Sequence, residues 1–171
     1  MNRLAHEALS LARSIQGDVP KRGRPPQDGA RPDSEQILPS SLFMGTRGYI
    51  ERVVNQINGC YEDGWFDACS VMIRRLVETL IIEVFENHGI ESKIQASSGD
   101  FLPLGEMIDK TLAETSWNLS RNTKRALPKL KRIGDWAAHN RRYNAHRHDI
   151  DKVVDDLRVV AQELVYLANL K

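Results

Sequence analysis

One stretch constrains the fold more than any other. After Trp65 the pairs Ala68/Cys69, Met72/Ile73, Leu76/Val77, Leu80/Ile81 and Val84/Phe85 recur at close to the 3.6-residue period of an α-helix. An apolar face that broad and long is covered only by neighbours on more than one side, so it predicts a central, buried helix ending at His88-Gly89. Other apolar runs with helical spacing surround it. They predict a helix over about 46–61 (Tyr49, Ile50, Val53, Val54, Ile57), with Gly59 and Gly64 bracketing its end. A short helix follows around Leu102, Leu104, Met107, Ile108 and Leu112, with Pro103 in its first turn. Ser120 is a candidate N-cap for a helix through Leu127, Leu130 and Ile133, which Pro128 and Gly134 are expected to make irregular. A last helix is expected over about 147–169. Residues 91–100 read as a loop. No stretch alternates with period two long enough to build a sheet, so the expected class is all-α, a helical bundle.

The N-terminal quarter differs in kind. Residues 1–16 read as a short separable helix through Leu4, Ala8, Leu11 and Ile15, and residues 17–40 as a flexible linker. Five of the seven prolines and three glycines fall there, with few apolar side chains to offset the cost of ordering. The folded domain is then expected at 41–171. No apolar run approaches the length of a membrane span, and the N-terminus lacks the continuous apolar core of a secretory signal. A cytoplasmic protein without membrane partners is therefore expected. Cys60 and Cys69 lie in no metal-ligand spacing and read as reduced, buried thiols, so neither a metal nor another cofactor is expected.

Charge is unevenly distributed. Between Ser120 and His148 nine Lys or Arg residues face one acid, Asp135, for a net charge of +8. The whole chain carries only +1, so the remainder is −7. A local cationic surface on an acidic body suits a polyanion, although a solvated basic helix face has the same composition. Within this segment Arg132 and His139 are seven residues apart and share a helical face, with Asp135 between them in reach of the imidazole. A base, its orienter and a cation suit metal-independent RNA cleavage. The histidine would take the 2′-hydroxyl proton while the guanidinium steadies the phosphate. The same residues also read plainly as a helix C-terminal histidine, an i,i+4 partner and a surface cation.

The runs Tyr61-Glu-Asp-Gly64-Trp-Phe-Asp-Ala68, Met72-Ile-Arg74-Arg-Leu-Val-Glu78 and Leu130-Lys-Arg132-Ile-Gly134-Asp-Trp-Ala-Ala138-His139 resemble the bacterial family called domain of unknown function 4145, over about residues 45–170. That family is similar to the HEPN superfamily of compact helical domains. The resemblance implies an HEPN-like bundle, a homodimer, and RNA binding. It also implies membership of a toxin or antiphage defence system, in which some relatives are metal-independent endoribonucleases and others inactive binding modules. Arg132, Asp135 and His139 would be the catalytic set, with Arg74 and Glu78 a supporting ion pair or a purely structural one. Whether the chain is an enzyme stays open here, because Ile133 stands directly after Arg132 where the superfamily often has a polar residue.

Two further segments are candidates. Lys131, Arg141, Arg142 and Tyr143 could grip a nucleic-acid backbone, Tyr143 stacking on a base, or could belong to a solvated turn. In the arm, Lys21-Arg22-Gly23-Arg24-Pro25 resembles the AT-hook, in which arginines such as Arg22 and Arg24 enter the minor groove of A·T-rich DNA; a plain linker is the other reading. The alternative function is a non-catalytic protein- or DNA-interaction module of a defence or restriction system.

Overall fold

The computed structural model describes residues 36–171, and among these the fold is an all-α bundle of seven helices. They are α1 (Ser40–Phe43), α2 (Gly48–Glu62), α3 (Phe66–Asn87), α4 (Leu104–Ala113), α5 (Arg121–His139), α6 (Arg147–Asp151) and α7 (Val154–Leu167). The expected helix at 1–16, the expected linker up to residue 35, and Arg22 and Arg24 lie outside the described residues.

The paired apolar residues do what their spacing requires. Cys69, Ile73, Leu76, Val77, Leu80, Ile81, Val84 and Phe85 of α3 are all buried, and α2, α5 and α7 pack around them. Both α2 and α3 end in the same device. A glycine at positive φ (Gly64, +79°; Gly89, +66°) turns the chain, and the next residue donates its N–H five residues back, Trp65 to the Cys60 carbonyl at 2.8 Å and Ile90 to that of Phe85 at 3.0 Å. Gly59 is no terminator. It is buried inside α2, which runs on to Glu62.

Three boundaries differ from the sequence expectation. Gln36, Ile37 and Leu38 are buried, so the core begins before residue 41: Leu38 exchanges hydrogen bonds with the Asn58 side chain (3.0 and 2.8 Å), and Arg158 of α7 donates to the Ile37 and Gln36 carbonyls. The last helix is two, α6 and α7, broken at Lys152-Val153. Conversely, α5 is one unbroken helix despite Pro128 and Gly134. Pro128 stands on the exposed side of the helix, while Gly134 is buried against α3. No described helix is long and apolar enough to cross a membrane.

Helix α5 is anchored at its start. Ser120 caps it by accepting from the Thr123 N–H at 3.2 Å, and Glu163 of α7 accepts from the Ser120 N–H (2.6 Å), the Ser120 hydroxyl (2.8 Å) and the Thr123 hydroxyl. A carboxylate here also faces the positive end of the helix dipole. Ser120→Ala is expected to cost about 1 kcal/mol in urea unfolding, and Glu163→Ala to cost at least as much, since it strips three donors at once.

Candidate nucleic-acid interface

The site is built on the outer face of α5. At 100° per residue, Arg121, Arg125, Lys129, Arg132, Trp136 and His139 fall within one sector of the helix, and all are exposed. They form a row about 27 Å long at 1.5 Å per residue. Lys129 is paired with Asp156 at 2.8 Å, whereas Arg121, Arg125, Arg132, Arg141 and Arg142 make no ion pair among the described residues. The first turn of α5 contains no acid, and Arg121 and Arg125 stand near the positive end of the helix dipole. Helix stability therefore gives no reason for these cations.

The opposite face of α5 is clamped to the central helix. A Cβ at Gly134 would lie 2.4 Å from Arg74 Cβ and 2.9 Å from the Ser70 carbonyl oxygen, so the two backbones approach as only glycine permits. That approach brings Arg74 Nε within 2.9 Å of Asp135 Oδ1, while Arg74 Nη1 reaches Glu78 at 3.2 Å and Lys131 Nζ holds Asp135 Oδ2. Arg74 and Glu78 thus form the expected intrahelical pair, which also reaches across to α5.

The expected bond from Asp135 to His139 is not formed. Both Asp135 oxygens are taken by Arg74 and Lys131, and His139 stands exposed at the helix end with no hydrogen bond or ring contact among the described residues. Lys131 is correspondingly drawn inward, away from the exposed row, its aliphatic stem lying against Gly105 of α4. Burial pushes the Asp135 carboxyl up, but the hydrogen bonds and charges of Lys131 and Arg74 outweigh it and hold the pKa below its ordinary 3.8. A depressed carboxylate stabilises the fold above its unfolded-state pKa, and that contribution is lost as pH falls through the folded value. Asp135→Asn should therefore be less stable than the parent at neutral pH, with the gap closing below about pH 3.8 in pH-dependent urea unfolding.

Past His139 the chain is not a loose turn. Ala145 N–H donates to Asp67 at the start of α3 (2.8 Å), the Arg147 guanidinium lies 4.5 Å from the Tyr61 ring centroid, and Tyr61 donates to Asp151. These long-range ties hold Tyr143 edge-on to Trp136, centroids 5.5 Å apart, while Arg132 lies 5.2 Å from the Trp136 ring centroid on the other contact. Trp136 is 45% exposed, unlike Trp117, which is buried at 7% against Phe85 and His88. Arg141 and Arg142 extend the exposed basic row. Sequence reasoning missed Glu163, Asp67 and Asp151, and none carried a local signal, because each acts on a partner 40 or more residues away.

The two cysteines, both expected to be buried, differ: Cys60 is only partly buried, whereas Cys69 is fully so. Burial, and secondarily the neighbouring Cys60, push the Cys69 thiol up to about 12, and Cys69 is fully buried, so alkylation at pH 8 of the folded protein should label Cys60 first and Cys69 only on unfolding. No family model, no curated protein and no solved structure matches this chain.

Proposed function

We propose that the outer face of α5 and the turn that follows it bind single-stranded RNA, as part of an HEPN-like homodimer in a bacterial toxin or antiphage defence system. The row of exposed arginines, which form no ion pair among the described residues, carries this reading. Arg121, Arg125 and Arg132 lie along one helix face and are continued by Arg141 and Arg142. Such a row matches a phosphodiester backbone, and Trp136 and Tyr143 at its end offer the aromatic surface that unpaired bases seek. Fluorescence anisotropy with labelled single-stranded RNA tests it: salt-sensitive binding is expected, weakened by removing the arginines. Because Ile37 and Leu38 belong to the core, a truncation separating this surface from the Arg22/Arg24 segment should end at residue 35. Loss of all binding in that variant would transfer the role to the arm and to A·T-rich DNA.

Metal-independent cleavage is a second reading, favoured by the exposure of His139 on the face that carries Arg132. His139 would accept the 2′-hydroxyl proton, the 2′-oxygen would attack the adjacent phosphorus to form a 2′,3′-cyclic phosphate, and Arg132 would steady the charge on the phosphate as the 5′-oxygen leaves with a proton from water. Asp135 is committed to α3, so His139 works here without a carboxylate orienter. Cleavage in EDTA that disappears in both His139→Ala and Arg132→Ala would establish the reaction. Binding without cleavage leaves a non-catalytic module.

A further inference from the structure

Resting on that reading, we infer that the end of the basic row contains a pocket for one unstacked RNA base. Beside Trp136, between α5 and the α6–α7 corner, lies an open pocket of about 280 Å³. Ile133, Val153, Trp136 and Tyr143 line it, together with Lys129 and Asp149. Arg132 and Lys152 complete the lining. Apolar side chains, aromatic rings and a cation complement a nucleotide, a flat base with little hydrogen-bonding need on its faces joined to anionic phosphates.

The pocket's other charged groups are already engaged. Lys129 is bound to Asp156, Lys152 lies 4.0 Å from Asp149, and Asp149 accepts from the His146 backbone N–H at 3.0 Å and lies 3.2 Å from His148 Nε2. Arg132 differs: its guanidinium lies over the Trp136 ring and makes no ion pair among the described residues, so a phosphate can take it without breaking one. Holding that cation against the ring places the phosphate-binding and base-stacking groups side by side. Tyr143 is fixed for the same purpose by the ties that Asp67 and Tyr61 make to the chain after it.

The test compares a uridine decamer with a base-free phosphodiester chain of equal length, on the full-length protein. Wild type should bind the decamer about tenfold more tightly, as expected for one stacked base. Trp136→Leu and Tyr143→Leu should reduce decamer affinity by a similar factor, leave the slope against salt unchanged, and lose the preference over the base-free chain, because they remove stacking and no phosphate contact. Equal binding of the two ligands by wild type overturns the pocket while leaving the basic row as an RNA surface. That comparison needs no variant to fold. Wild type binding neither ligand overturns both readings, and substitutions that change the salt slope instead of the preference assign Trp136 and Tyr143 a role other than stacking.

Discussion

Replacing Gly134 with alanine should destabilise the protein by about 2 kcal/mol or more, a sign opposite to what helix propensity alone gives. In an open helix interior, alanine is favoured over glycine by about 1 kcal/mol. Here the added methyl would sit 2.4 Å from Arg74 Cβ and 2.9 Å from the Ser70 carbonyl, atoms fixed close to or in the backbone of the central helix. Neither can swing aside as a flexible side-chain end would, so α3 and α5 must separate. Separation also lengthens the bond from Arg74 to Asp135, which spans the same contact at 2.9 Å. Thermal unfolding should show a midpoint lower by about 4–8 °C for a chain of this size. A rise in midpoint would mean that the helices pack less closely than Gly134 implies.

The second large effect concerns binding. Replacing Arg121, Arg125 and Arg132 together with alanine should weaken single-stranded RNA binding about fiftyfold near 0.15 M salt and lower the slope of log affinity on log salt by about 2, since each phosphate contact on a single strand contributes about 0.7 to that slope. The fold should survive, because all three side chains are exposed and none forms an ion pair among the described residues. Removing Arg121 also takes a cation from the positive end of the α5 dipole. Unchanged affinity in a variant of unchanged stability would locate any RNA contacts elsewhere.

The elements whose signals are local were legible in the sequence. Paired apolar residues from Ala68 to Phe85 identified the central helix, and Ser120 is the N-cap expected of it. The helix-ending turns at Gly64 and Gly89 were legible for the same reason, since positive φ is a demand glycine meets most readily. Legibility failed wherever a long-range partner decides the outcome. Gly134 read as a weak point in α5 because its packing against Ser70 and Arg74 lies 60 or more residues away in the chain. Asp135 read as the orienter of His139 because i,i+4 spacing allowed it, yet Lys131 lies at the same spacing on the other side and Arg74 arrives from α3 to complete the set. Gln36–Leu38 read as linker because Pro39 and the proline-rich stretch before it mask two apolar residues that Asn58 and Arg158 draw into the core.

The most direct test of the α5 surface is a titration of a fluorescein-labelled single-stranded RNA decamer with wild-type protein at several salt concentrations, in EDTA, following anisotropy. Saturable binding is predicted, with log affinity falling linearly on log salt at a slope steeper than about −2, as expected when three or more phosphates are engaged. No binding at the lowest salt, or binding indifferent to salt, would contradict the reading of the exposed arginine row as an RNA interface.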